Sequence, residues 1–207
     1  MIKQINLIII ATTNKDRFCK VKTIINQIAP KLVVKSLFDF PDMDVVLEVG
    51  QTERQNAILK AKHHWQKFKQ NILSMDVGIY IDGFKKGDQP GIYVHRIRKK
   101  GQNVEQKIIF DYWYELIEKH PGIKGQIKRV IVVCSEGKIF TRIMSTRLKF
   151  LLPKVKPQKI NENPLNYFMV PDGFADSLSE MKNKFRVEYE EPISYNIKCL
   201  LKEAHIL

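Results

Sequence analysis

An apolar run that ends in a short polar turn and leads at once into an amphipathic stretch sets the frame for this chain. Residues 5–10, INLIII, are rich in isoleucine and read as a buried strand. They pass into Ala11-Thr-Thr-Asn-Lys15. Phe18, Val21, Ile24, Ile25 and Ile28 then recur at helical spacing over 15–28, and Pro30 marks the end. A strand that feeds a helix through a brief turn is the opening of a layered α/β fold. It also places a helix N-terminus, with its unpaired N–H groups and positive dipole end, where a strand stops.

The rest of the chain keeps alternating. Residues 32–38 read as a second strand, and 39–50 as a loop with a short strand. The spacing predicts a helix over 52–69 with Ala57, Ile58, Ala61, Trp65 and Phe68 on its apolar face. Residues 71–76 and 78–82 read as two extended pieces around a turn at Asp76. Turn-rich segments fall at 85–90 and 99–103, and a helix at 106–119 carries Ile109, Tyr112, Trp113, Leu116 and Ile117. Strands at 128–134 and 138–145 are joined through Ser135-Glu-Gly137, a hairpin signal. Residues 153–166 read as irregular. The last helix is expected at 192–205, with Pro192 suited to its first turn. No internal repeat is present. The expectation is one elongated, two-lobed α/β domain over 1–207, a mixed sheet with flanking helices and a hairpin-rich second lobe.

Composition narrows the function classes. A chain of 207 residues with 44% apolar and 10% aromatic content can bury a substantial core and is not a disordered polymer. No apolar run approaches the ~20 residues of a membrane span. The N-terminal run lacks a small-residue cleavage site, so no signal peptide is expected. Cys19, Cys134 and Cys199 are odd in number and widely spaced, which suggests free thiols and a cytoplasmic setting. The formal charge of +13 favours anionic partners, or else solvated lysine-rich faces. Its densest cluster is His95-Arg-Ile-Arg-Lys-Lys100. Aromatics interleave with basic residues near 93–100 and 147–150, but no nucleic-acid motif is visible.

Several residue types suit phosphate chemistry. Thr13, Asn14 and Lys15 at the helix start can cradle a phosphate, and Asn14 can equally serve as a plain cap. Asn56 and Lys60 lie one turn apart on one helix face, where Lys60 can point into a cleft or stay in solvent. Glu48 and Asp76 are hard oxygen donors, and Asp76 before a glycine is also an ordinary turn residue.

Read in order, these pieces resemble the inosine/xanthosine triphosphate pyrophosphatase family. The matching segments are Ala11–Lys15, Glu48-Val-Gly-Gln-Thr52, Asn56-Ala with Lys60-Ala, Asp76-Val-Gly78 and Pro90-Gly-Ile-Tyr93. The resemblance implies an elongated two-lobed α/β enzyme that hydrolyses a nucleoside triphosphate to the monophosphate and pyrophosphate and removes nonstandard purine nucleotides. It implies magnesium, with manganese as the substitute ion. Glu48 and Asp76 would hold the metal, Asp76 would be the general base, and Lys60 would assist. Thr13, Asn14, Lys15 and Asn56 would bind substrate. The family is commonly a homodimer.

The chain departs from the family at named places. Thr13 replaces a glycine, and Met75 and Val77 replace an aspartate and a serine. Phe168-Met-Val-Pro-Asp-Gly-Phe174 and Ser179-Glu-Met181 resemble the base-binding stretch. Ser194-Tyr-Asn196 stands where the family has Ser-His-Arg. Phe168, Ser194, Tyr195 and Asn196 are therefore the expected base-site residues, with weaker discrimination of inosine from adenosine triphosphate. Two alternatives remain: a nucleotide-binding protein of this fold with little or no catalysis, and a charge-driven nucleic-acid binder.

Overall fold

The computed structural model describes residues 6–41, 43–94, 105–161 and 163–207. Its elements run β1 (Leu7–Ala11), α1 (Lys15–Ile28), β2 (Val33–Ser36), α2 (Glu53–Phe68), β3 (Asn71–Ile81), α3 (Gln106–Lys119), β4 (Lys124–Ser135), β5 (Lys138–Phe150), β6 (Met169–Pro171) and α4 (Asn183–Glu203). The strand order is β2-β1-β3-β4-β5-β6. β1 pairs in parallel with β2 and β3, whereas β5 pairs antiparallel with β6, so the sheet is mixed. The α/β class expected from the sequence is the one observed.

The chain divides into two compact units. The first holds residues to Asp76, Arg129–Met144 and Glu191–Leu207. Its central strand β1 is buried on both faces, which explains the unbroken apolar run. Ile8 and Ile10 join Leu73, Ile131 and Val133 in one core with Val21, Ile24 and Ile25 of α1 and Ile197, Leu200 and Leu201 of α4. Ile9 and Ala11 point the other way and join Ile72, Val130 and Val132 in a second core with Ala57 and Ala61 of α2.

The second unit holds Val77–Lys128 and Ser145–Glu190, and its core is aromatic. The rings of Trp113 and Phe150 stack with centroids 5.5 Å apart, and those of Phe110 and Phe168 lie 4.8 Å apart. α3 buries Ile109, Phe110, Trp113 and Ile117, the i, i+1, i+4, i+8 stripe of an amphipathic helix.

α1 and α3 match their expected spans residue for residue, and the hairpin turns where predicted. Glu136 and Gly137 both have positive φ, 50° and 78°, as a two-residue turn that follows strand twist requires. Four expectations need correction. Asp76 sits within the continuous strand β3, not in a turn, because its carboxylate is held from the side by Lys60 and the ladder need not break. The described residues of 39–50 form no strand: Val45, Leu47 and Val49 alternate outward, but the segment has no ladder partner. α4 starts at Asn183, so Pro192 lies inside the helix and removes one backbone donor there. The buried stripe of α2 is Glu53, Asn56, Ala57, Lys60, Ala61 and His64, while Ile58, Trp65 and Phe68 are only half-buried. The cluster His95–Lys100, with the turn at 99–103, lies outside the described residues.

Candidate active site

The rotated stripe of α2 is the key to the site. Glu53, Asn56, Lys60 and His64 recur at the i, i+3, i+4 spacing that normally carries apolar residues, yet they face inward. Thr52 caps this helix by accepting a hydrogen bond from the Gln55 N–H at 3.2 Å, which fixes where the stripe begins. Asn56 is buried, and its Oδ1 accepts the Gly50 N–H at 2.8 Å. A Cβ on Gly50 would lie 2.5 Å from that same Oδ1, so the loop can approach the helix here only through glycine. Asn56 thereby positions the segment that carries Glu48.

Lys60 is the hub. Its Nζ donates to Glu48 Oε1 at 2.9 Å, to the Met75 carbonyl at 2.9 Å and to Asp76 Oδ1 at 3.2 Å. Three acceptors match the three donor protons of a lysine that is only 8% exposed. Asp76 Oδ2 is buried and has no hydrogen-bond partner. Burial raises the Asp76 pKa above the usual carboxylate value, against the pull of the Lys60 charge, and the Glu48 carboxylate adds to the rise. Arg17 also bears on the acidic pair. Burial lowers its pKa, while Asp76 and Glu48 raise it.

A cavity of about 100 Å³ opens beside this hub, lined among others by Thr13, Asn14, Arg17, Glu48 and Lys60. That is well below the ~300 Å³ or more of a pocket enclosing a whole small molecule, and it suits a phosphate group better than a base. Asn14 caps α1: its Oδ1 accepts the Arg17 N–H at 2.8 Å. The Lys15 and Asp16 N–H groups then remain without intrahelical acceptors, as at any helix start. Thr13 fits this turn without strain, since the non-glycine residues with positive φ are Lys69, Glu136 and His205 among the described residues.

The structure thus brings Thr13, Asn14, Glu48, Lys60 and Asp76 together, with Asn56 supporting the loop. Lys15 is exposed and does not line the cavity. Arg17, two residues on, does line it, and Arg129 of β4 is buried within the electrostatic reach of Arg17. Sequence reasoning missed both arginines. Helical phase could have found Arg17, because it lies one turn before the buried Val21 on the same face of α1. Phe168 is fully buried against Phe110 in the second unit's core. Ser194 is half-buried, Tyr195 is 63% exposed, and Asn196 Nδ2 donates to the Pro192 carbonyl one turn back. None of these four lines the cavity beside Lys60.

The donor set fits a hard divalent cation. Glu48 and Asp76 offer two carboxylates converging on one ammonium, and Asp76 Oδ2 is a buried oxygen without a hydrogen bond. A second group lies on the neighbouring turn of α2. His63 Nε2 is 2.7 Å from Asp44 Oδ2, and Lys67 Nζ is 3.3 Å from Asp44 Oδ1. The His63 bond, assisted by Lys67, holds the Asp44 pKa down at about 2. Burial, with the nearby His63 charge, pushes His64 down to about 4.

The sequence pattern of the Ham1 family matches residues 8–186. The chain belongs to the Ham1 family. Among its relatives in this family, the dITP/XTP pyrophosphatase of Shouchella clausii is 29% identical over 103 residues, which is 50% of each chain. The chain thus spans about half the length of that relative. The dITP/XTP pyrophosphatase of Flavobacterium johnsoniae is 26% identical over 178 residues, covering 84% of this chain and 85% of the relative. A HAM1 protein of Coxiella burnetii superposes with a TM-score of 0.73 over 95% of this chain and 98% of its own, at 16% identity. That likeness establishes the shared fold.

Proposed function

We propose that this chain hydrolyses a nucleoside triphosphate to the monophosphate and pyrophosphate, acting on nonstandard purine nucleotides. The observation that carries the reading is the Lys60 ammonium seated between Glu48 and Asp76, beside a helix N-terminus. The dITP/XTP pyrophosphatase relatives support the substrate class.

In this reading the start of α1 and the Arg17 guanidinium bind the phosphates, and the dipole end and the cation both favour the charge. Glu48 and Asp76 would hold magnesium, with manganese as the substitute. When bound, such an ion neutralises phosphate charge and acidifies a water. Asp76 Oδ2 accepts a proton from the water that attacks the α-phosphorus. Its raised pKa brings it nearer to neutral pH, where a base is more effective. The bond from the α-phosphorus to the bridging oxygen breaks, and pyrophosphate leaves with that oxygen. Lys60 keeps both carboxylates in register and offsets the charge that develops.

The chain is read as one two-lobed cytoplasmic domain over 1–207 that works as a homodimer, as the family implies. Tyr195 and Asn196 stand where His and Arg would accept only a 6-oxo base. Both can donate or accept, so discrimination of ITP from ATP should be weaker than in the family at large. The test is pyrophosphate release from ITP, XTP, GTP, ATP and dUTP under identical magnesium conditions. Release from at least one purine triphosphate is expected. Nucleotide binding without release would leave a binding protein. A sharp ITP or XTP preference would overturn the assignment of Tyr195 and Asn196.

A further inference from the structure

We infer that Asp44, His63 and His64 form a second cation site, one for a borderline transition-metal ion of the zinc class. Among the described residues they are the one group of three His, Cys, Asp or Glu side chains whose ligand atoms all lie within 4.8 Å of one another. The donor set is two imidazoles and one carboxylate. That set selects zinc, cobalt or iron(II), whereas Glu48 and Asp76 present only oxygen and suit magnesium.

Three observations converge. The His64 side chain is 3% exposed, its Nδ1 is buried without a hydrogen-bond partner, and this nitrogen lies 4.0 Å from Asp44 Oδ1. A buried imidazole nitrogen this close to a carboxylate, with no hydrogen bond of its own, is a donor that can serve as a metal ligand. His63 Nε2 approaches the same carboxylate from the other side, at 2.7 Å from Oδ2. The two rings meet edge to face with centroids 5.1 Å apart, so adjacent residues on one helix converge on a common point. Ligand atoms around a tetrahedral zinc ion are about 3.4 Å apart, which follows from metal–ligand bonds of ~2.0–2.1 Å. Small rotations of His64 and Asp44 reach that spacing. Lys67 Nζ brings a positive charge beside Asp44, 3.3 Å from Oδ1. A bound ion would take over that role, and Lys67 would swing aside.

The site has a structural consequence. Asp44 anchors the extended segment that reaches Glu48 four residues later. An ion gripping Asp44 and α2 together would fix that segment, and it would sit on the wall of the cavity that Arg17 and Lys60 also line, since Asp44 and His64 line it too.

Isothermal titration of the full chain with Zn2+, and visible absorption of Co2+ added in its place, test the proposal. One equivalent is expected at this site, with cobalt bands of a nitrogen-containing set. Asp44→Asn and His63→Ala, both at side chains open to solvent, should each weaken the site at least ~10-fold. Asp76→Asn should leave it unchanged, which separates it from the magnesium pair. Lys67→Met removes the competing cation and should tighten binding, a gain that a merely structural cluster would not give. The proposal is overturned if zinc does not bind. It is equally overturned if the Asp44 and His63 variants bind as the natural chain does, since the ion would then sit on the free cysteines or other histidines. Loss of the site in Asp76→Asn would merge it with the oxygen pair and end the claim of a second site.

Discussion

The two units solve opposite problems. In the first, Glu53, Asn56, Lys60, His64, Asp76 and Arg129 are all buried, within aliphatic cores built from isoleucine, valine and leucine. In the second, Ser177 is the one buried polar side chain among the described residues, and the core is Phe110, Trp113, Phe150 and Phe168. Burying charge is costly unless each group is paired, so the first unit gives up stability to hold groups that can do chemistry. The second takes large apolar area from each aromatic and carries no such load. One chain thus separates a region tuned for electrostatics from one tuned for packing.

The largest test strikes the packing region. Trp113→Ala empties the stacked contact with Phe150 and should cost about 3–5 kcal/mol, read from urea unfolding. A loss below about 1 kcal/mol would mean that the aromatic core repacks freely, and the contrast would fail.

Next comes the electrostatic region. Asp76→Asn keeps the shape of the side chain and removes the proposed base. Turnover should fall at least ~100-fold, about 2.7 kcal/mol of transition-state stabilisation, while circular dichroism stays native. Near-normal turnover would return Asp76 to a structural role.

The same residue sets a pH dependence. Its folded pKa is raised, so the folded chain holds the proton more tightly than the unfolded chain does. In metal-free buffer its contribution to stability should therefore fall as pH rises from the ordinary carboxylate value of 3.8 through the raised folded value, and stay low above it. Urea midpoints across that range should show this decline in the natural chain and not in Asp76→Asn. Equal slopes would show that Lys60 fully offsets the burial.

The smallest effect is expected at Ser74, whose Oγ donates to the Ala57 carbonyl at 2.6 Å and ties β3 to α2. Ser74→Ala should lower stability by about 1 kcal/mol with catalysis nearly unchanged. A large loss of turnover would mean that this bond sets the spacing of Lys60 and Asp76.

Much of this was legible in the chain itself. The isoleucine run gave a doubly buried strand, because a strand covered on both faces needs no polar alternation. Helical periodicity placed α1 and α3 to the residue, and Glu136-Gly137 placed the hairpin, because these signals act within a few neighbours. The residues of the phosphate and acidic motifs were visible as letters in order, and Glu48, Lys60 and Asp76 do meet. What the sequence left open depended on partners distant along the chain. It could not say that α2 buries its polar stripe, since that stripe is stable only once Glu48, Met75 and Asp76 close around Lys60. It put Asp76 in a turn, because aspartate before glycine favours turns locally, whereas ladder pairing and a lysine from another element keep it in a strand. It named Lys15 and missed Arg17, because the motif letters pointed to the lysine while the buried phase of α1, four residues before Val21, belongs to Arg17. Local chemistry wrote the elements and their order. Long-range pairing of charges decided which of those residues became a site.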